Sequence, residues 1–228
     1  MSSLARKLTV EFIGTFLLMF TVGMATATAP AFAPLAIGAV LMVMVFAGGH
    51  VSGGHYNPAV STAVLLRGKL AARDCLAYIA TQGLAAILAG LLVRGLSYGP
   101  ATPIAVAGAG TMLVVEFLFT FALAFVVLNV ATAKDTENNS FFGLAIGFTV
   151  AAGAFAIGSV SGGAINPAVA LGASVLGAFA WSNIWIYLIA GFAGGAVAAA
   201  AFRVTVPAEE QEQPARGRRA EDADLRAA

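Results

Sequence analysis

Ser-Gly-Gly-His-Tyr-Asn-Pro-Ala-Val runs from Ser52 to Val60, and Ser-Gly-Gly-Ala-Ile-Asn-Pro-Ala-Val runs from Ser161 to Val169. Asparagine followed by proline is the chemistry of a helix start: the amide oxygen caps free backbone N–H groups, and proline is preorganised for the first helical position. The apolar run after each box is about ten residues long, half of the roughly 20 that a membrane-crossing helix needs. Each box therefore opens a helix too short to span a bilayer, inside a chain that is otherwise built to do so.

Composition sets that context. Of 228 residues, 60% are hydrophobic and 10% charged, and the mean hydropathy is +0.90, which lies outside the range of soluble domains. The 12 basic and 11 acidic residues nearly cancel, so nothing favours nucleic acid as a partner. The expected surroundings are membrane lipid. One cysteine, Cys75, excludes an internal disulfide. Six segments are long enough to span, at about 8–28, 34–51, 74–95, 107–131, 140–158 and 183–204. The first has a rival reading as a signal peptide, because Arg6 and Lys7 precede an apolar run ending in Ala25-Thr26-Ala27. Against it, the stretch from Val10 to Phe20 returns from Val115 to Phe125, each with a glutamate at its second position, Glu11 and Glu116. The segment belongs to a repeated unit.

The repeat extends to Leu35–Gly38 with Leu144–Gly147, and to Tyr78 with Tyr187. Each half, about 1–100 and 107–205, then holds three spans and one short helix. With an odd number of spans, the second half enters from the opposite side, which makes an inverted repeat. The expected fold class is an all-α membrane protein of six transmembrane helices and two re-entrant half-helices, a single domain over 1–205. A polar, mixed-charge, disordered tail over 206–228 is expected to follow. Basic residues Arg6, Lys7, Arg67, Lys69, Arg73, Lys134 and Arg203 fall on one side and Arg94 alone on the other, so the positive-inside rule places both termini in the cytoplasm. The compact loops and the lack of an organelle signal point to a prokaryotic plasma membrane.

Two half-helices entering from opposite faces meet near the midplane with their amino ends inward. Irregular backbone at that depth is tolerated only where it is buried in protein or lines a water-filled path, so the boxes imply a cavity. The Gly-Gly pairs allow an extended strand to pack closely, and its carbonyls, from Gly53, Gly54, His55 and Tyr56 and from Gly162 and Ala164, are expected to form a ladder of acceptors. The amides of Asn57 and Asn166 supply donors at the centre, reinforced by the positive ends of both helices. Glycines Gly143, Gly147, Gly191 and Gly195 are spaced for close helix packing, and Trp181 and Trp185 for anchoring at an interface. His50 is expected to pack at the loop. No catalytic, cofactor or metal-ligand constellation is recognisable, so an enzyme is not expected.

The paired Asn-Pro-Ala boxes (Asn57, Pro58, Ala59 and Asn166, Pro167, Ala168), the Gly-His-Val run before the first, and the Val-Glu-Phe openings of spans one and four resemble the aquaporin or major intrinsic protein family over residues 4 to about 205. The resemblance implies a right-handed bundle, a homotetramer with one pore per subunit, and a passive channel for water or small neutral solutes. It also implies that Glu11 and Glu116 accept from backbone N–H groups of the box loops. Carried over position by position, the family's selectivity filter falls on Ile37, Ala154, Gly163 and Val169. Most members have arginine where Val169 stands, with aromatic or histidine companions; here the filter is uncharged and apolar. That implies a permissive pore, with water, glycerol, urea, ammonia and hydrogen peroxide as candidate permeants and protons excluded at the boxes. A secondary transporter and a non-conducting structural protein are the competing readings. The first would need a titratable group in the pathway beyond the two glutamates.

Overall fold

The computed structural model describes residues 3–100, 102–104 and 106–206; the tail expected over 206–228 lies almost wholly outside the described residues. Eight α-helices follow one another among them: α1 (Ser3–Thr28), α2 (Ala33–Ser52), α3 (Pro58–Leu66), α4 (Ala72–Gly95), α5 (Ala109–Thr132), α6 (Phe142–Ser161), α7 (Pro167–Leu176) and α8 (Ile184–Thr205). Six are long and apolar enough to cross a membrane, and α3 and α7 are the two short ones. A 3-10 turn from Trp181 to Asn183 leads into α8, and Trp181 and Trp185 are exposed there, as interfacial anchors are. We call the face on which α1 begins and α8 ends proximal, and the opposite face distal.

The two halves repeat one packing scheme and then interlock. Helix α1 lies against α2 and α4, and α5 lies against α6 and α8. Helices α2 and α6 pack across the seam, while α3 packs on α8 and α7 on α4, so each half-helix rests on the third span of the other half. Without a hydrophobic drive between helices in lipid, such contacts depend on small residues that let backbones approach. A Cβ on Gly195 would stand 2.5 Å from the Ala59 carbonyl oxygen, and one on Gly90 would stand 2.4 Å from that of Gly172. Across the seam, a Cβ on Gly147 would lie 2.5 Å from the Gly38 carbonyl. Of the glycines read in α6 and α8, Gly147 and Gly195 thus meet backbone, whereas Gly143 meets the Phe46 ring and Gly191 the Pro167 ring.

The loops that carry the boxes match residue for residue, but they are not extended. Gly53, Gly54 and Tyr56 have φ of 91°, 62° and 47°, and Gly162, Gly163 and Ile165 have φ of 92°, 62° and 51°. The asparagines are extended, at φ −157° and −160°. The reason is steric: each glycine pair caps the preceding span in the left-handed region, which reverses the chain without an extended run. For Ile165, a β-branched residue, that region is strained.

Buried carboxylates hold this conformation. Glu11 Oε1 accepts from the Ser52 hydroxyl at 2.7 Å and the His55 N–H at 2.9 Å, and Oε2 accepts from the Tyr56 N–H at 2.7 Å and the Gln82 amide at 2.8 Å. Glu116 repeats the pattern, accepting from the Ser161 hydroxyl at 2.6 Å and from the N–H groups of Ala164 at 3.0 Å and Ile165 at 2.7 Å. Tyr78 and Tyr187 complete each corner by donating to the Ser52 and Ser161 carbonyls. Replacing Glu116 by Ala strands the buried N–H groups of Ala164 and Ile165, while the Ser161 hydroxyl keeps the Ile157 carbonyl. The loss is expected to cost about 2–3 kcal/mol or more, read as a fall in thermal midpoint in detergent, and an unchanged midpoint would contradict the role. Gly195→Leu is expected to destabilise by roughly 1–3 kcal/mol through overpacking. Gly110→Leu, at a helical glycine with open space around it, serves as the tolerated control in the same assay.

Candidate functional site

The site begins with how each asparagine divides its side chain. The amide oxygen of Asn57 accepts from the Ala59 N–H at 2.9 Å, and that of Asn166 accepts from the N–H groups of Ala168 at 2.9 Å and Val169 at 3.3 Å. These are the helix caps read from the sequence. The amide nitrogens reach across: Asn57 Nδ2 donates to the Ile165 carbonyl and Asn166 Nδ2 to the Tyr56 carbonyl, both at 2.9 Å. An amide nitrogen carries two hydrogens, so each asparagine has a second N–H beyond the one that reaches across, and both asparagines line the cavity. The engaged pair of N–H groups ties the two loops together.

Within each box only the asparagine faces open space. Ala59 abuts Gly195, Pro167 abuts Gly191, and Pro58, Ala59, Pro167 and Ala168 are all buried. Proline and alanine make the helix start and its seat on the opposite half.

A cavity of about 540 Å³ contains both asparagines and extends to the distal face. Its walls are pairs related by the repeat, including Leu18 with Leu123, Val22 with Val127 and Val60 with Val169. One edge is polar, formed by Asn57 and Asn166 with the loop backbones. All four positions assigned to the filter, Ile37, Ala154, Gly163 and Val169, line this one cavity. None of these four carries a side-chain donor or acceptor; the polar side chains that line the cavity are those of Asn57, Asn166, His55, Thr26 and Ser159.

The loop residues expected to form the acceptor ladder divide between those that line this cavity and those that do not. Gly54, His55, Gly162 and Ala164 line the cavity, and so do Gly163 and Ile165, whereas Gly53 and Tyr56 are not among its lining residues. The Tyr56 carbonyl is taken by Asn166, and its ring is wedged against Gly14 and Gly48 with the hydroxyl donating to the Met44 carbonyl. A left-handed φ at Tyr56 and Ile165 turns the backbone so that these carbonyls meet the opposite asparagine. His55 is buried, with Nδ1 3.1 Å from the Ser61 hydroxyl and its ring edge-on to Tyr78. His50 does not pack at the loop; it is exposed on the last turn of α2.

Sequence reasoning missed Gln82, which bridges Glu11 Oε2 and the Ser61 hydroxyl. Its counterpart in the second half is Gly191, so the repeat gave no signal for it. Ser52 and Ser161 were legible in principle as the first letter of both repeated stretches.

With this geometry in place, the comparisons with known proteins agree. The family model described as major intrinsic protein matches residues 1–202. The chain is 38% identical over 212 residues to the glycerol uptake facilitator protein-like 6 of Lactiplantibacillus plantarum, covering 87% of this chain and 97% of that one. It is 36% identical over 209 residues to aquaporin NIP1-4 of Oryza sativa subsp. japonica, covering 86% and 76%. The X-ray structure of the aquaglyceroporin from Plasmodium falciparum has the same fold, with a TM-score of 0.75 at 22% identity over 87% of this chain and 95% of that one. Two half-helices joined tip to tip by their asparagines, six spans around them and a match along nearly the whole chain lead to one conclusion: this protein belongs to the major intrinsic protein family of membrane channels for water and small solutes.

Proposed function

We propose that this chain is a weakly selective passive channel, conducting water together with small uncharged solutes such as glycerol, urea, ammonia or hydrogen peroxide. The observation that carries the reading is the composition of the filter. Ile37, Ala154, Gly163 and Val169 border the same cavity as the twin asparagines, and none of them places a charge or a hydrogen-bonding side chain there. A small residue at Ala154 and none at Gly163 leave room for a solute larger than water. Selection then rests on size and on the cost of shedding hydration. The similarity to a protein named as a glycerol uptake facilitator supports glycerol among the permeants.

At the centre, a permeating hydroxyl accepts from the spare N–H of Asn57 or Asn166 and donates to loop carbonyls on either side. That arrangement breaks a chain of hydrogen-bonded waters, and the positive ends of α3 and α7 oppose cations and protons. Glu11 and Glu116 serve as supports of the loops, since their acceptor positions are occupied by loop donors and not turned to the lumen. The assembly proposed is a homotetramer with one pore per subunit. The proposed location is a plasma membrane with the distal face outward and both termini cytoplasmic, supported by the basic residues of the proximal face. A prokaryotic host membrane is proposed on the compact loops alone, the relatives coming from a bacterium and from plants alike.

The filter assignment is tested at Ala154 and not at Gly163, where φ of 62° would strain any side chain. In proteoliposomes, Ala154→Phe is expected to cut glycerol flux about tenfold, the effect of roughly 1.4 kcal/mol added to a barrier, and to cut water flux less. Equal glycerol flux in variant and wild type would remove Ala154 from the pathway.

A further inference from the structure

Arg94 and Arg203 hold the same position in the two halves, in the last turn of α4 and of α8. The carbonyls they reach are also counterparts. Arg94 Nη1 donates to the Val175 carbonyl at 3.4 Å, and Arg203 Nη2 donates to the Leu66 carbonyl. Val175 and Leu66 lie in the last turn of α7 and of α3. Each half-helix therefore points its amino end at the pore centre and has its carbonyl end covered by an arginine from the other half.

The two ends of a half-helix act on the pore with opposite signs, about half a positive charge at the amino end and half a negative charge at the carbonyl end. A cation on the carbonyl end removes the part of the field that would attract cations toward the mouth. On the distal face this task falls to Arg94 by itself: the chain over 29–32, 96–108 and 162–183 contains no Asp, Glu, Lys or Arg. The proximal face is better provided, because Arg67 caps α3 with its guanidinium 4.7 Å from the Phe202 ring centroid, and Lys69 follows. The distal arginine is also close to the permeation path. It borders a recess of about 350 Å³ whose wall includes Leu176 and Phe179, and those two residues line the pore cavity on their other side.

We infer that Arg94 is the charge-selectivity residue of the distal mouth, excluding cations from an otherwise uncharged entrance by neutralising the carbonyl end of α7, with Arg203 as its weaker counterpart on the proximal side. It is a positioning and field-setting residue that contacts no permeant. The inference rests on the channel reading above.

The test uses the full chain in proteoliposomes, with sodium influx read by a trapped dye and water flux by light scattering on the same vesicles. Arg94→Gln is expected to raise the ratio of sodium to water flux about threefold, Arg94→Lys to return it to the wild-type ratio, and Arg203→Gln to raise it less. A ratio unchanged in Arg94→Gln, or raised equally in Arg94→Lys, overturns the inference. Should Arg94→Gln fail to fold, Ser97→Asp sets a carboxylate on the same recess with the arginine in place, at a φ of 66° that Asp tolerates; it is expected to raise the ratio likewise, and an unchanged ratio is again a refutation. A wild-type protein that passes neither water nor glycerol sinks the channel reading instead.

Discussion

The two bonds from Asn57 to the Ile165 carbonyl and from Asn166 to the Tyr56 carbonyl join the tips of α3 and α7 in the middle of the bundle. Everything else in the structure serves that junction. Hydrocarbon offers no partner to an open backbone group, so loops at this depth must satisfy themselves from within the protein. They do so through the reciprocal asparagines, through the two glutamates and through the tyrosine hydroxyls. The strain of a left-handed Ile165 is offset by the same means, since its N–H is held by Glu116 and its carbonyl by Asn57. Because each half-helix is seated on the opposite half, the junction also fixes how the halves dock.

The cavity beside the junction combines two kinds of surface. Its walls are mostly apolar and give a solute little for the water it leaves behind, while the asparagine amides, the loop backbones and the side chains of Thr26, His55 and Ser159 supply the polar surface. A pore of this kind passes molecules that can present one hydrogen-bonding edge and tolerate an apolar surface elsewhere. Charged species meet the amino ends of two half-helices at the centre. In the proposed channel, selectivity by charge and selectivity by size fall in different places, the first at the half-helix ends and the arginines on them, the second at four small or aliphatic side chains.

Much of this was legible in the sequence because the fold writes itself twice. The six spans fall within a few residues of where apolar length places them, and the half-helices begin where Asn-Pro sets their caps. The glutamate pair and the tyrosine pair stood out as repeated residues in an apolar setting before their contacts were known. What stayed hidden was whatever the repeat does not copy. Gln82 has a glycine as its counterpart, and the first half accordingly carries a polar network from Glu11 to Ser61 that the second half lacks. The backbone of the loops was hidden for another reason: Tyr56 and Ile165 are poor residues for a positive φ, so nothing in their identity announces the turn that sends their carbonyls to the opposite asparagine. His50, exposed where packing was expected, shows that a histidine near a loop carries little information by itself.

An uncharged, roomy filter in series with the asparagine junction is tested most directly by stopped-flow light scattering of the wild-type protein in proteoliposomes, with an Asn57→Ala, Asn166→Ala variant as control. Rapid flux of both water and glycerol, lost together in the variant, is the predicted result. Rapid water flux with glycerol excluded would contradict it, because the side chains lining the cavity at Ile37, Ala154, Gly163 and Val169 would then not be what sets selectivity.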